Sequence, residues 1–290
     1  MPCDTPTTFI CCYIHIFTIM NRLHILFFAI ISVLYACNSN TDDLHKLQDQ
    51  QANLKDTTIS IPCLGPFIQI TSIGNVNIEY SQGEYCLQAT GSPELIALLN
   101  TSFDSGVLTI GMKNEAAVEL STMRKKQNIR LSISSPELKS MSICGNGDFK
   151  SSGLIKTENF QAGNLGSGNI CIDSLDCRNF RFDNNNIGKA LFNNVKCNSA
   201  IISTFGKTET NMSINAQTDI SILSGENSKT NMDLVSGFIE ILTTSDCVGE
   251  YNVECEKLNV IAEDNSNLTF KGDFKQKTIK KGRGCDIKIL

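Results

Sequence analysis

Glycine clusters recur at intervals of about twenty residues through the second half of the chain. Gly147, Gly168, Gly188 and Gly206 follow one another at steps of 21, 20 and 18 residues. A fixed period of this length is typical of solenoids, in which each repeat packs only against its neighbours. We therefore expect this part of the chain to wind into stacked coils.

Between these glycines, apolar residues occur in pairs whose members are two positions apart. The pairs are Ile170 and Ile172, Phe180 and Phe182, Met212 and Ile214, Ile220 and Ile222, Met232 and Leu234, Ile239 and Ile241, Tyr251 and Val253, Leu258 and Val260, Leu268 and Phe270, and Ile287 and Ile289. Alternate side chains of a strand point to opposite faces, so the apolar members should fill the interior while the polar residues between them face water. The spacing predicts about two strands in each coil.

The segment GNLGSGNICI at residues 163–172 allows two interpretations, a phosphate-binding loop or a tight corner. A phosphate loop requires a helix directly after the glycines, so that backbone N–H groups converge on the anion. Residues 169–173 instead alternate with period two and contain β-branched side chains, which predicts a strand. We therefore assign the glycines to corners, where positive φ angles favour glycine and asparagine.

Residues 59–140 differ from the repeats but are not separated from them by a linker. Most of this region alternates as strands do, and the segment SPELIALLN predicts one short helix with Ser92 as its N-cap and Pro93 in its first turn. We expect residues 59–290 to form one all-β domain. Within it, residues 59–140 would cap the regular coils of residues 141–290.

The order of short motifs in this domain resembles the putative auto-transporter adhesin head GIN domain family. The motifs are FIQI at 67–70, VNIEYSQG at 76–83, GVLTI at 106–110, ISSPEL at 133–138, and then GNG, GSG and a terminal LTFKGD with KGRG. The resemblance covers about residues 60–290. It implies an exported right-handed parallel β-helix, common in Bacteroidetes, with no established catalytic residues.

The N-terminus is typical of a targeting segment. An apolar stretch runs from Ile25 to Ala36 behind Arg22, which matches the charged and apolar regions of a signal peptide. It ends in the sequence LYAC, which resembles the lipobox of bacterial lipoproteins, with Cys37 as the lipidated residue. We expect residues 1–37 to contain a signal segment, with Met20 as the true start of the protein. The alternative is one transmembrane helix from about Phe9 to Ala36, interrupted at Asn21 and Arg22.

Residues 38–58 are polar and lack aromatic residues, which predicts a tether between the lipid anchor and the domain.

Nine cysteines follow Cys37, an odd number, and no CxxC pair occurs. The spacing of Cys197 and Cys255 from neighbouring apolar residues indicates core positions. If a disulfide forms, Cys177 and Cys197 are the first pair to test.

Composition excludes several classes of function. The net charge is −5 and the pI is near 5.3, which argues against a nucleic-acid partner. His45 is the only histidine after residue 24, so His-based catalysis and multi-His metal sites are not expected. We expect no cofactor.

An enzyme that cleaves polysaccharide is the alternative of a different class, because some parallel β-helices carry such sites. It would need several carboxylates on one outer face. The candidates are Asp173, Asp176, Asp183, Asp219, Asp233, Glu240, Asp246, Glu254 and Glu256. They are scattered along the sequence, as expected of solvated strand faces.

Basic residues gather near the C-terminus. They are Lys271, Lys275, Lys277, Lys280, Lys281, Arg283 and Lys288. Two interpretations remain open: a docking patch for an anionic glycan or lipid, or a charged edge that prevents end-to-end stacking of coils.

Together these patterns favour a non-enzymatic cell-envelope protein, anchored in the outer membrane through Cys37 and exposed to the periplasm or the cell surface. Its solvent-facing strands would bind a glycan or an envelope protein, as an adhesin does. The second alternative is a structural or sensing protein of the envelope without an external ligand.

Overall fold

The computed structural model describes residues 56–63, 65–113 and 129–290. The expected signal segment, Cys37 and the tether as far as residue 55 lie outside the described residues. Strand β1 begins at Thr57, before the expected end of the tether at residue 58. In the described part of the chain, no helix is long and apolar enough to cross a membrane.

Strands dominate the described part of the chain. Ahead of the regular coils lie β1 (Thr57–Ser60), β2 (Gln69–Ser72), β3 (Val76–Gln82), β4 (Cys86–Gly91), α1 (Pro93–Leu98), β5 (Leu99–Asp104), β6 (Val107–Met112) and β7 (Ile129–Ser135). The coils comprise β8 (Ser140–Ile143), β9 (Phe149–Ser151), β10 (Leu154–Lys156), β11 (Asn159–Asn164), β12 (Ile170–Asp176), β13 (Asn179–Asn186), β14 (Lys189–Gly206), β15 (Glu209–Ser224), β16 (Lys229–Thr243), β17 (Val248–Ala262), β18 (Asn267–Lys281) and β19 (Asp286–Ile289).

The coils stack through parallel pairing of residues about twenty positions apart, and they form a β-solenoid of about eight turns. One interior column shows the repeat: Ile172, Phe192, Met212, Met232, Tyr251 and Phe270 pair in register from coil to coil. All six side chains are buried. The predicted fold class and period are therefore confirmed.

Each complete coil contains three straight segments separated by corners, so the prediction of about two strands in each coil is wrong. In β14 the segments are 189–192, 195–197 and 199–204, and the register shifts between them. Equivalent segments of successive coils stack into three faces, which we call the first, second and third face in chain order. Apolar residues at alternate positions of each segment point inward and fill one continuous core.

The N-terminal section closes the solenoid with antiparallel pairs. β4 pairs with both β1 and β7, and β5 pairs with β6, whereas β2 and β3 continue the parallel stack onto β8 and β9. The predicted helix is confirmed as α1. The Ser92 hydroxyl accepts a hydrogen bond from the Leu95 N–H (3.4 Å), as an N-cap does.

The first corners depend on glycine for a reason that differs from our expectation. A Cβ atom at Gly166 would lie 2.0 Å from the carbonyl oxygen of Gly145, and one at Gly168 would lie 2.0 Å from that of Gly147. The φ angles of these four residues lie outside the left-handed region. The explanation by positive φ is therefore wrong here: glycine is required because the backbone of the coil below leaves no room for a side chain.

Later corners use left-handed residue pairs in place of glycine pairs. Both members of Glu226–Asn227, Ser245–Asp246 and Asp264–Asn265 have φ between 51° and 67°. Two successive residues of positive φ are the geometry of a type I′ turn. Backbone hydrogen bonds stack these corners, as from Asp246 N to Asp264 O (2.8 Å). The loss of paired glycines along the sequence thus marks a second way to turn the chain.

A column of polar side chains lies inside the solenoid at the end of the third face. It consists of Asn164, Asn184, Thr204, Ser224 and Thr243, which pair in register and are all buried. Asn164 donates to the Gly168 carbonyl (2.7 Å) and accepts from the Gly166 N–H (3.3 Å). Thr204 donates to Ser224 (2.9 Å). The two asparagines thus satisfy corner backbone groups that would otherwise be buried without a partner, since Asn184 Nδ2 also donates to the Gly188 carbonyl (3.2 Å).

The last of the predicted interior pairs is not buried. Ile289 is 41 % exposed and Ile287 is half-buried, because β19 pairs only with β18 and has no strand beyond it in the described part of the chain. The other nine pairs are buried as predicted.

Candidate binding face

A shallow groove crosses the N-terminal half of the third face and holds about 380 Å³. We call it the polar groove. One column of its lining consists of Gln69, Ser140, Gln161, Arg181 and Ile201, which pair in register across β2, β8, β11, β13 and β14. A second column consists of Asn159, Asn179 and Ser199. The groove therefore repeats polar side chains at the coil spacing, about 4.8 Å, and ends at the exposed apolar side chain of Ile201.

The second column forms a chain of hydrogen bonds. Asn179 Nδ2 donates to Asn159 Oδ1 (2.7 Å), and the Ser199 hydroxyl donates to Asn179 Oδ1 (3.1 Å). Both asparagines are exposed, while Phe160 and Phe180, which follow them in the chain, are buried beneath the groove. The core thus fixes the backbone under the amides, and the amides hold one another in place.

The charges around the groove are balanced. Lys139 pairs with Glu137 (3.4 Å), Arg178 with Glu158 (3.6 Å), and Arg181 with Asp183 through two hydrogen bonds of 2.9 and 3.2 Å. A bidentate guanidinium–carboxylate pair is rigid and presents both donors and acceptors. The lining is therefore suited to hydroxyl groups rather than to a net charge.

A second depression, of about 210 Å³, lies where the first and second faces meet in the C-terminal half. Asp233, Glu254 and Asp273 line it, and Asn252 Nδ2 donates to Asp233 (3.2 Å). Across the described ranges, no group of three or more His, Cys, Asp or Glu side chains is arranged to hold a metal ion.

The carboxylates weighed for an enzyme are spread over two faces and the corners between faces. Asp173 and Asp233 lie where the first and second faces meet, Asp176 and Glu254 occupy the second face, and Asp183, Asp219 and Glu240 the third, while Asp246 and Glu256 lie at corners. Several have partners of their own: Glu240 accepts from Asn259 (2.7 Å), and Glu256 pairs with Lys275. The structure does not bring the nine into one cleft; Asp233 and Glu254 alone share the small depression.

The nine described cysteines are free thiols. Cys197 and Cys255 are buried beside the apolar residues that predicted their positions. Cys177 and Cys197 directly follow the paired residues Asp176 and Lys196 in adjacent coils. Burial raises the pKa of both thiols to about 12. At neutral pH they are therefore protonated and unreactive.

The polar groove was not among the features predicted from the sequence. A signal was present, because Asn159, Asn179 and Ser199 lie twenty residues apart and each precedes an inward-facing residue. The location of Lys139 and Gln69 beside them depends on the pairing of β2 with β8, which no periodicity indicates.

Known structures share the fold. A putative adhesin from Bacteroides fragilis is 19 % identical and has a TM-score of 0.57, covering 81 % of this chain and 97 % of its own. A putative lipid binding protein from Parabacteroides distasonis is 18 % identical with a TM-score of 0.63 (82 % and 98 % covered). A putative adhesin from the same species is 15 % identical with a TM-score of 0.53 (82 % and 98 %).

Among curated proteins, none matches this sequence. One domain family does match it, over residues 66–229, which is more than half of the chain. This range contains all the strands that line the polar groove and the glycine-stacked corners. The chain belongs to the family described as "Putative auto-transporter adhesin, head GIN domain".

Proposed function

We propose that the chain is an exported, lipid-anchored binding protein of the cell envelope, of adhesin type and without catalytic activity, and that the polar groove binds a neutral glycan. The family and the putative adhesins among the structural neighbours support a binding module. The lipobox-like sequence ending at Cys37 supports the anchor. The observation that indicates a neutral glycan is the lining of the groove, which offers hydrogen bonds and whose charges are balanced.

A glycan suits this lining for two reasons. Its hydroxyl groups donate and accept hydrogen bonds, as the amides of Asn159, Gln161 and Asn179 do. An extended glycan also repeats similar groups along its length, as the groove does at the coil spacing. Because each cation at the groove has a carboxylate partner, a neutral sugar is favoured over an acidic one.

A catalytic role would need a pair of carboxylates that face one substrate. Near the groove, Asp183 is bound to Arg181 and Glu137 to Lys139. Both carboxylates therefore serve as partners of cations, and this arrangement supports binding without bond cleavage in the polar groove.

The ligand is tested on a glycan array with the unit Asn53–Leu290, which is compact by itself and contains the described core. The groove variant combines Asn159→Ala and Asn179→Ala. Its matched control combines Asn211→Ala and Asn231→Ala, an asparagine pair in the same register on the first face. Loss of about 2 kcal/mol of hydrogen bonding should weaken glycan binding about thirtyfold in the groove variant and leave the control unchanged.

Absence of glycan binding, or equal weakening in both variants, would contradict the ligand assignment and favour an envelope protein without an external ligand.

The lipid anchor is tested separately. Incorporation of labelled palmitate should be lost in Cys37→Ala. Protease added to intact cells should cleave the wild-type protein if it is exposed on the surface and spare it if it faces the periplasm.

A further inference from the structure

At the C-terminal end of the solenoid, part of one strand edge has no partner among the described residues. In the described part of the chain, β18 pairs only with β17 and β19, and β19 covers only residues 267–270 of β18. The backbone edge from Lys271 to Lys281 therefore has no strand beyond it. Antiparallel strands close the N-terminal end, so the two ends of the solenoid differ.

The last coil breaks the pattern of the interior columns. On the third face, Leu258, Val260 and Ala262 pair with Lys277, Ile279 and Lys281 in the final coil. Two buried apolar columns thus end in exposed lysines. Lys277 Nζ lies 5.6 Å from the centre of the Phe274 ring, so its charge lies over an aromatic side chain at this end of the solenoid.

Apolar side chains occupy the centre of this end. Phe274, Ile279 and Ile287 are partly buried against the core, Ile289 is 41 % exposed and Leu290 is 73 % exposed. Exposed apolar surface with a polar rim marks an interaction site.

Positive charge surrounds this apolar centre. Residues 271–290 contain six lysines and Arg283 against Asp273 and Asp286, which gives 7 − 2 = +5. The whole chain carries −5, so the other 270 residues carry −10. Lys275 pairs with Glu256 and Lys288 with Asp286, while the rest of the cluster adds to the field at the end of the solenoid.

We propose that this end, which we call the basic end, docks on the surface of an anionic lipid bilayer. Charge complementarity requires an anionic partner. It also disfavours a second copy docked through the same end, because two clusters of like charge would meet. A soluble polyanion would satisfy the lysines alone, whereas a bilayer also accepts the apolar residues between them, as it does for interfacial segments.

The test measures co-sedimentation of the unit Asn53–Leu290 with vesicles. Phosphatidylcholine vesicles with and without phosphatidylglycerol are compared at low and at physiological salt. We expect binding only to the vesicles with phosphatidylglycerol, and weaker binding at the higher salt concentration. A variant with Lys277→Glu, Lys280→Glu and Lys281→Glu should bind at least tenfold more weakly.

The matched control reverses three exposed lysines elsewhere, with Lys156→Glu, Lys196→Glu and Lys207→Glu, and should bind like the wild type. Circular dichroism confirms that both variants are folded. Equal binding to neutral vesicles, equal losses in both variants, or binding to heparin without binding to vesicles would overturn the proposal. The groove variant should still bind vesicles, so this result does not depend on the glycan site.

Discussion

Substitution of Gly168 by alanine tests whether the first corners require glycine because of close packing. The added Cβ would lie 2.0 Å from the Gly147 carbonyl oxygen and 2.8 Å from its carbonyl carbon. Non-bonded carbon contacts are comfortable near 3.5–4.0 Å, so the two coils would have to separate locally by more than about 1 Å. Both contacts are backbone atoms within a hydrogen-bonded stack, and neither can rotate away as a side chain would.

The expected cost follows from that geometry. Overpacking of a well-packed interior costs about 1–3 kcal/mol, and a clash with fixed backbone belongs at the upper end, near 3 kcal/mol. For a domain of this size, each kcal/mol lowers the melting temperature by about 2–4 °C, so Gly168→Ala should lower it by roughly 6–12 °C.

The assay is urea and thermal unfolding followed by circular dichroism, with Gly83→Ala as the matched control. A Cβ at Gly83 meets nothing within 4 Å, and the φ angle of this residue lies outside the left-handed region. The control should be neutral or gain up to about 1 kcal/mol from the stiffer unfolded chain. If Gly168→Ala is as stable as Gly83→Ala, the close-packing explanation of the corner glycines is refuted.

Three further predictions follow from the interior and from the basic end. Replacement of Asn164 by leucine leaves the Gly166 N–H and the Gly168 carbonyl without their partner and should cost about 2–3 kcal/mol in urea unfolding, whereas Asn231→Leu on the exposed first face should change stability little. Burial raises the pKa of the Cys177 and Cys197 thiols from 9.0 to about 12, so the unfolded chain loses these protons first. The contribution of these two thiols to stability should therefore be lost as the pH rises from 9 to 12, and a flatter alkaline profile is expected for the Cys177→Ala, Cys197→Ala variant. An unchanged alkaline profile would contradict the burial of the two thiols. Lys277→Leu with Lys281→Ala extends the apolar columns to the final strand edge and should cause concentration-dependent association in light scattering. A variant that does not associate would show that these lysines do not prevent pairing through this edge.

The period of the solenoid and nine of the ten interior pairs could be predicted from sequence, because alternation and a fixed repeat length are local properties of the chain. The buried column from Asn164 to Thr243 could not be predicted from the sequence. Asparagine and threonine look the same in sequence whether they face water or a corner backbone, and only the position of the corner decides. The corners at Glu226 and Asp246 were also not predicted, because left-handed turns without glycine are hard to recognise from composition.

The candidate site was less predictable than the fold. Alternation indicates which side chains face outward, but it does not assign a strand to one of three faces. That assignment depends on the corner shifts, such as the one between Phe192 and Val195. The basic cluster was visible in the sequence, whereas the inward register of Lys277 and Lys281 emerged only from their pairing with Leu258 and Ala262.

Because each coil rests only on its two neighbours, the solenoid also acts as a ruler. The polar groove lies among the early coils and the basic end on the last one. The number of coils between them therefore determines the distance between a ligand bound in the groove and a surface bound at the basic end. Tandem duplication of one repeat would lengthen that span by about 4.8 Å and alter neither surface. Reach can thus evolve in whole steps, independently of what each surface recognises.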